Sequence, residues 1–339
     1  MAFSWANTGD DPVLRISADR PVTIISDLHL GDGSRSDAFM GKDRLLMDLV
    51  DEVGRENGVL VINGDAIDLL QAHDLTPVLR AHGPLMRAIA DLAGKTRVIY
   101  LTGNHDHDIR VYRDFLRWEV AGRLWIGEDI SVQHGHQFDP FIGEDVKAAS
   151  LMTRVHHGVE RQFGVWLRIP LHDFYTLPNR LTFWLGYRLW RVTSARNRLL
   201  RLVGLTAVAD RSQRYMDYWV RGEAGDPMTL TFPALAYGST SGARAVVCGH
   251  AHMPGNFVEN GVRYVNTGSW TFRQAQVTRL VDGEFTVKDR ITGREYGSDL
   301  YRTALSGELQ HLQFERWWRN EYLGWLRFRK GELKKSGLG

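Results

Sequence analysis

The sequence predicts an α/β protein with a helical insertion. Five short apolar runs, rich in β-branched residues, have the composition of buried strands. Amphipathic helical patterns separate the first three runs, and this alternation of strand and helix is typical of an α/β architecture. Strand patterns are then absent from 151–226, where arginine and tryptophan are frequent. The insertion therefore interrupts the main domain between its fourth and fifth predicted strands.

The predicted elements follow one another along the chain. The strands are 21–26, 58–63, 96–102, 129–133 and 243–248. The helices at 44–57 and 77–94 place apolar residues near positions i, i+3, i+4 and i+7, so each has one face to bury. Two hairpins are expected after the last strand, because Asn260-Gly261 and Asp282-Gly283 are typical turn dipeptides between strand-like segments.

We expect three parts in the chain. They are a discontinuous main domain of residues 1–150 and 227–300, the insertion 151–226, and a basic amphipathic C-terminal tail at 301–339. A chain of 339 residues exceeds what one compact core usually holds, which agrees with a main domain plus an added part. Charged residues make up 24% and hydrophobic residues 43%, so disorder is not expected.

The cysteine content and the N-terminal residues indicate a compartment. The single cysteine, Cys248, excludes an internal disulfide framework and favours a reducing environment. The first fifteen residues lack the basic-then-apolar order of a signal peptide. Every uninterrupted apolar run is shorter than the roughly 18 residues that predict a membrane span. We therefore expect a cytoplasmic protein.

The insertion differs from the rest of the chain in charge. Between Arg154 and Arg221 there are twelve arginines, no lysine and four acidic residues, a net charge of +8. The whole chain carries +2, which leaves −6 for the remainder. The pattern at 180–203 places arginines on one face of a helix and aliphatic residues on the adjacent face. The tail segment 314–335 is also amphipathic, and it could anchor at an interface, contact a partner subunit or lie on the insertion.

Five polar clusters follow predicted strands. They are Asp27-x-His29, Gly64-Asp65-x-x-Asp68, Gly103-Asn104-His105-Asp106, His134-x-His136 and Gly249-His250-x-His252. The carboxyl ends of strands in an open α/β sheet face one crevice, so the clusters are expected to converge. Side chains at i and i+2 of an extended strand point the same way, so Asp27 with His29, and His250 with His252, would each present two ligands together.

These side chains have the chemistry of metal ligands. Carboxylate, imidazole and amide oxygen together suit borderline divalent ions such as Mn²⁺, Fe²⁺ or Zn²⁺. Any one cluster alone is more often a turn, a helix cap or a satisfied structural histidine. Five of them in this order predict a two-metal site, and two ions about 3.5–4 Å apart with a shared anionic ligand support in-line attack at phosphorus.

The motifs D-x-H, GD-x-x-D, GNHD, HG and GH-x-H, in this order, resemble those of the calcineurin-like metallophosphoesterase superfamily. The resemblance covers 21–140 and 243–290, and it implies a β-sandwich of two mixed sheets flanked by helices. It assigns the first metal to Asp27, His29 and His252, the second to Asn104, His134 and His250, and the bridging position to Asp65. It also implies a metal-dependent hydrolase that forms no covalent phosphoenzyme.

The resemblance assigns further roles around the metals. His105 would act as general acid or stabilise the leaving oxygen, and Asp68 would orient His105. Asp106 would hold the loop, or else support a ligand or meet substrate. The first histidine of HGH, His134, is the expected ligand, while His136 would support it or meet substrate. The expected cofactors are two divalent ions, with Mn²⁺ preferred over Fe²⁺ and Zn²⁺.

Two details of the motifs narrow the expected substrate. Protein Ser/Thr phosphatases have an arginine where this chain has Leu69, which disfavours that branch. The segments SDLHLGDG and NTGSW are similar to a bacterial branch that includes UDP-2,3-diacylglucosamine hydrolase, although that enzyme typically has arginine in place of His105. That branch cleaves the pyrophosphate of a membrane-borne nucleotide lipid in lipid A synthesis, which implies a lipid-linked substrate and release of UMP with a lipid X-type product.

The arginine-rich insertion suggests how the protein would bind a lipid-linked substrate. Arg154, Arg161, Arg188 and Arg191 are candidates to bind substrate phosphates. Alternatively, the helices lie at a membrane interface, or they pack on the main domain with a solvated arginine face. We expect a peripheral protein on the inner face of the cytoplasmic membrane. The competing functions are a nuclease or nucleotide phosphodiesterase, since basic and aromatic residues also suit single-stranded nucleic acid, and a non-catalytic membrane-associated binding module.

Overall fold

The structure is a computed structural model that describes residues 12–34, 37–39, 41–72, 74–112, 118–139, 177–221, 227–271 and 274–301. Contacts divide the chain into two compact units, residues 1–164 with 225–300 and residues 165–224 with 301–339. Of the predicted tail at 301–339, Tyr301 alone is among the described residues. Arg154 and Arg161 also lie outside them.

Two mixed sheets form the centre of the first unit. Their strands are β1 (Val13–Ile16), β2 (Val22–Ile25), β3 (Val59–Asn63), β4 (Val98–Leu101), β5 (Glu119–Ala121), β6 (Arg123–Ile126), β7 (Ile130–Val132), β8 (Ala245–Cys248), β9 (Gly255–Glu259), β10 (Val262–Asn266), β11 (Gln276–Val281) and β12 (Glu284–Asp289). Sheet I has the order β12-β11-β2-β3-β4-β5, and sheet II has the order β1-β6-β7-β8-β10-β9. Strands β2 to β5 are parallel, whereas β11 pairs antiparallel with both β12 and β2.

The described residues form helices in both units. They are α1 (Asp43–Arg55), α2 (Leu69–Ala72), α3 (Leu75–Ala93), α4 (Leu177–Leu202), α5 (Thr206–Arg221) and α6 (Pro227–Ser241), with 3₁₀ turns at His107–Tyr112 and His136–Phe138. Helices α1 and α3 pack on sheet I. Helix α6 lies so close to sheet II that a Cβ on Gly238 would come within 2.6 Å of Val262. This arrangement of helix, two mixed sheets and helix confirms the predicted α/β fold class.

The alternation of side chains along each strand produces two hydrophobic cores. On β2, Ile24 packs between the sheets, while the next residue, Ile25, packs against the helices. Val61 and Ile62 divide in the same way on β3. Because these strands are buried on both faces, their sequences are continuous apolar runs rather than alternating ones.

Most predicted elements of the main domain are present. The five predicted strands correspond to β2, β3, β4, β7 and β8 of the structure, and the two predicted hairpins correspond to β9-β10 and β11-β12. Asn260 and Asp282 both have positive φ, as do the glycines that follow them, which is the geometry of a type I′ turn. The sequence did not predict β1, β5 and β6, which have three or four residues each, or α6, whose apolar residues lie on all sides.

The described part of the second unit consists of the paired helices α4 and α5, with Tyr301. Helix α4 has 26 residues and covers the amphipathic pattern predicted at 180–203 up to Leu202. Residues 203–205 connect it to α5. Among the described residues, no helix is both long and apolar enough to cross a membrane. In α4, six arginines interrupt the apolar sequence.

Candidate metal centre

The predicted ligands come together at the carboxyl ends of strands from both sheets. Within each of three groups, the possible ligand atoms all lie within 4.8 Å of one another. The groups are Asp27 with His29 and His252, Asp65 with His134 and His250, and His29 with Asp68 and His105. The first group consists of the three residues expected for the first metal, and the second contains His134 and His250, expected for the second metal, with the expected shared residue Asp65.

In the first group, two imidazoles and a carboxylate face each other. The Nε2 atoms of His29 and His252 are 3.3 Å apart, and Nε2 of His252 is 3.1 Å from Oδ1 of Asp27. The other ring nitrogen of His29, Nδ1, lies 3.2 Å from Oδ2 of Asp68. A carboxylate bound to Nδ1 orients the ring and leaves Nε2 as the ligand atom.

In the second group, His134 lies between two carboxylates. Its Nε2 is 3.3 Å from Oδ2 of Asp65 and 3.9 Å from Oδ1 of Asp27. Its Nδ1 donates to the carbonyl oxygen of Asn63 at 2.8 Å, which fixes the ring with Nε2 toward the site. The proximity of His134 to both Asp65 and Asp27 shows that the two ligand groups adjoin.

The backbone places these ligands differently from the prediction. Five of them, Asp27, His29, Asp65, His250 and His252, have φ between 49° and 62°, in the left-handed region. Strands β2 and β8 have already ended at Ile25 and Cys248. The inference from extended-strand alternation was therefore wrong, although both pairs do face the site. A left-handed conformation costs on the order of 1–2 kcal/mol per residue, and such strain concentrates at functional sites.

Several polar atoms at the site lack well-aligned hydrogen bonds. Among the described residues, Oδ1 of Asn104 is buried without a hydrogen-bond partner. Oδ1 of Asp27 and Nε2 of His134, although close to other ligand atoms, also lack a hydrogen bond of good geometry. A divalent cation satisfies oxygen and imidazole donors of this kind, so the residues present fit the metals that the motifs imply.

The electrostatics of the site favour a cation. Burial lowers the pKa of His29 to about 4, so its ring is neutral, which is the form that binds metal. For His134 burial also lowers the pKa, but the carboxylates of Asp65 and Asp27 outweigh it and raise the pKa to about 10. The same negative field that holds a proton on His134 would hold a metal ion.

His105 and Asp68 form the predicted pair beside the metal ligands. Nδ1 of His105 lies 3.1 Å from Oδ1 of Asp68, whose other oxygen holds His29. The backbone N–H of His105 donates to Oδ1 of Asp65 at 2.8 Å. One carboxylate thus contacts both a predicted ligand and the predicted acid.

Asp106 makes the contacts of a loop-holding residue. Its carboxylate accepts from the N–H groups of Gly103 at 2.7 Å and Ala66 at 2.8 Å, and from the hydroxyl of Tyr100. It is fully buried. His136 is partly buried, but it belongs to neither ligand group, and its ring centroid lies 5.4 Å from that of His134.

The remaining predicted residues lie elsewhere. Arg188 and Arg191 are exposed on α4, in the second unit. The sequence did not single out Asp139, whose Oδ2 lies 3.0 Å from Nε2 of His250 with both side chains buried. Asp139 follows His134 by five residues, so a carboxylate soon after the HG motif was a usable signal. Asn63 contributes a backbone carbonyl, which has no sequence signal.

Two glycines of the motifs allow the ligands to approach one another. A Cβ on Gly64 would lie 2.3 Å from Nδ1 of His134, and a Cβ on Gly103 would lie 2.0 Å from Oδ1 of Asp65. Gly64 also has φ of +81°, which favours glycine. The glycine before each polar cluster therefore leaves room for a ligand from a neighbouring strand.

Comparison with known families identifies this kind of site. The model of the calcineurin-like phosphoesterase family matches residues 20–254, which is more than half of the chain. The chain belongs to this family. As a calcineurin-like phosphoesterase, it is a metal-dependent phosphoesterase. The family uses divalent metals, and the adjoining His/Asp clusters of this chain could bind them.

The chain is also similar to several solved structures at low sequence identity. YfcE, a phosphoesterase from E. coli, is 14% identical with a TM-score of 0.38, covering 81% of this chain and 96% of its own. An archaeal phosphodiesterase is 10% identical with a TM-score of 0.36, covering 79% and 99%. A cold-active protein-tyrosine phosphatase of a Shewanella species is 13% identical with a TM-score of 0.37, covering 83% and 81%. No curated protein matches the chain.

Proposed function

We propose that this calcineurin-like phosphoesterase hydrolyses a phosphodiester or pyrophosphate with two metals, on a lipid-linked substrate of the UDP-2,3-diacylglucosamine type. The observation that supports the two-metal reaction is the adjoining of the two ligand groups at His134, whose Nε2 lies near both Asp65 and Asp27. In this proposal, the first metal is held by Asp27, His29 and His252, and the second by Asn104, His134 and His250, with Asp65 shared.

The proposed mechanism assigns separate duties to the protein groups. The two ions, Mn²⁺ by preference, would supply a lowered pKa of water and neutralisation of charge on the phosphoryl oxygens when bound. His105 donates a proton or a hydrogen bond to the leaving oxygen, and Asp68 holds the His105 ring through Nδ1. Gly103 and Asp106 hold the loop that presents Asn104 and His105.

The lipid-linked substrate rests on the resemblance of SDLHLGDG and NTGSW and on the arginine-rich insertion. In this proposal the protein works at the inner face of the cytoplasmic membrane, and the substrate provides the diphosphate that the metals bind. One observation favours a second candidate, a phosphodiesterase that acts on nucleotides. Trp270 of NTGSW is fully buried and its backbone N–H donates to the carbonyl of Asp27 at 3.0 Å, so this segment would support the metal ligands on a nucleotide substrate as well as on a lipid-linked one.

The two candidates are separated by an assay on the lipid itself. We expect purified protein with Mn²⁺ to release UMP from UDP-2,3-diacylglucosamine, and we expect chelation or Asn104→Ala to abolish release. Turnover of soluble diesters such as bis-p-nitrophenyl phosphate, with none of the lipid, would exclude the lipid-linked substrate. Cleavage of oligonucleotides with salt-sensitive binding would then identify the nucleotide or nucleic-acid function.

A further inference from the structure

The helical hairpin formed by α4 and α5 buries polar residues at its helix contact. Asn197 is fully buried, and its Nδ2 donates to Oε1 of Gln213 at 3.0 Å. Gln213 in turn donates to Oγ of Ser194 at 3.1 Å. Thr193 and Ala209 are also buried here. In the described part of the hairpin, hydrogen bonds and small side chains therefore take the place of the usual leucine contact.

The same hairpin exposes its large aliphatic residues. They are Leu189, Val192, Leu199, Leu202, Val203, Leu205 and Val208, and together we call them the apolar face. These are seven of the thirteen exposed large hydrophobic residues in the described chain, although they span only residues 189–208. Leu202 and Val203, next to the turn, are 82% and 70% exposed. A concentrated apolar surface of this kind marks an interaction site.

Arginines border the apolar face. Helix α4 has six arginines and no acidic residue in 26 residues. At about 100° per residue, Arg191 and Arg198 lie just beyond Leu202, at one edge of the sector that Leu189, Val192, Leu199 and Leu202 occupy. Arg188 lies inside the same edge, between Leu202 and Leu199. All three arginines are exposed. An aliphatic stripe with a guanidinium border is the pattern of a helix that lies in a lipid interface.

Other occupants fit this surface less well. Nucleic acid binds through aromatic rings that stack on bases, whereas the apolar face consists of leucine and valine. A symmetric contact with a second copy would bring Arg188, Arg191 and Arg198 of both copies together, and like charges oppose such a contact. Anionic lipid matches both parts of the surface, since acyl chains cover the aliphatic residues and headgroups meet the arginines.

We propose that the apolar face docks this protein on a membrane surface that contains anionic lipid. The inference deepens the proposed function and rests on it for its purpose, because docking would bring the protein to a lipid-linked substrate. The face is confined to the hairpin and includes no residue of the metal centre. Membrane binding and hydrolysis can therefore be measured separately.

The test uses the full chain and two matched double variants. Leu202→Ser with Val203→Ser alters the apolar face, and Val258→Ser with Ile291→Ser alters exposed aliphatic residues of the first unit. Cosedimentation is measured with vesicles of phosphatidylglycerol and phosphatidylcholine, and with vesicles of phosphatidylcholine alone. We expect the parent and the control to bind the anionic vesicles, and the hairpin variant to bind about tenfold or more weakly. Neutral vesicles and high salt should weaken binding.

Four results would overturn the proposal. They are unchanged binding of the hairpin variant, no vesicle binding by the parent, a parent dimer that the hairpin variant dissociates, and a lower unfolding temperature of the hairpin variant alone. The last two would mean that a second copy or another part of this chain covers the face. Vesicle binding without UMP release would leave the docking surface standing and remove only the lipid-linked substrate.

Discussion

At the scale of single residues, the two carboxylate oxygens of Asp68 contact different histidines and so have different roles. Oδ2 contacts Nδ1 of His29, a proposed metal ligand, while Oδ1 contacts Nδ1 of His105, the proposed acid. In both histidines, Nδ1–H needs a hydrogen-bond acceptor. A carboxylate offers two oxygens for this purpose, whereas the amide of asparagine offers only one. Losing the carboxylate should therefore disturb metal binding and leaving-group departure together.

This predicts a double defect for Asp68→Asn. We expect kcat to fall by about 10²–10⁴, the usual contribution of a general acid. We also expect Mn²⁺ affinity to fall by about 10–100-fold, as for other ligand-supporting groups. Steady-state kinetics and calorimetric Mn²⁺ titration measure the two effects. The comparison is His105→Ala, which should lower kcat and retain the metal. Normal Mn²⁺ affinity in Asp68→Asn would refute the role assigned to Oδ2.

Asp139 offers a second test at this scale. Because its carboxylate contacts His250 inside the protein, we expect Asp139→Asn to weaken binding of one of the two ions by about 10–100-fold. Elemental analysis after equilibration at limiting Mn²⁺ should give fewer ions per chain than for the parent. Asp129→Asn is the matched control, since the Asp129–Arg244 pair is exposed and contributes little. Equal metal content in both variants would contradict the role of Asp139.

At the scale of elements, helix α3 is kinked at a buried charge cluster. Pro84 lies inside the helix, and His82 has non-helical angles (φ −119°, ψ 23°). The His82 ring lies between Asp37, 2.9 Å from Nε2, and Asp43, 2.7 Å from Nδ1. Asp37 also accepts from the N–H of Gly33, so the cluster ties the loop after the D-x-H motif to α3.

The cluster predicts a pH dependence of stability. Burial lowers the pKa of His82, but Asp37 and Asp43 outweigh it and raise the pKa to about 9. Because the folded pKa lies above the unfolded value near 6.5, the stabilisation is complete below about pH 6.5 and is lost as the pH rises through about 9. Asp43 is partly exposed, so we expect a loss of about 1–2 kcal/mol.

Urea unfolding of the parent and of His82→Gln at pH 6 and pH 9.5 measures this loss. The parent should lose more free energy of unfolding between these pH values than the variant does. A parallel pH dependence of the two proteins would show that His82 is not the group responsible.

Some elements of the fold could be predicted from the sequence, and others could not. Strands β2, β3 and β4 were predictable because burial on both faces makes them continuous apolar runs. The left-handed backbone at Asp27 and His250 was not predictable. The sequence does not show where β2 and β8 end, so the prediction extended the alternation of strand side chains past the last strand residues. The contacts of His82 with Asp37 and Asp43 arise between residues distant in sequence, and one sequence carries no signal for them.

At the scale of the whole molecule, the proposed metal ligands come from both sheets. Asp27, Asp65 and Asn104 follow strands of sheet I, while His134 and His250 follow strands of sheet II. Metal that binds only the folded protein stabilises it by about 2.7 kcal/mol at a hundred times Kd. For a unit of this size we expect Mn²⁺ to raise Tm by about 5–10 °C.

Differential scanning calorimetry with Mn²⁺ and with chelator measures the shift in Tm. Asp65→Asn, which removes the proposed shared ligand, should show a much smaller rise. If Mn²⁺ raised the Tm of parent and variant equally, the stabilising metal would lie elsewhere.

The division of the ligands between the two sheets also bears on how the protein folds. Asp27 and His252 are separated by 225 residues in sequence, yet His252 Nε2 lies 3.1 Å from Asp27 Oδ1. Contacts between such distant residues form late, because the loop between them must close first. Neither sheet alone contains a complete ligand set. Acquisition of metal should therefore be among the last events of folding, and the rate of Mn²⁺ uptake during refolding would report the docking of the two sheets.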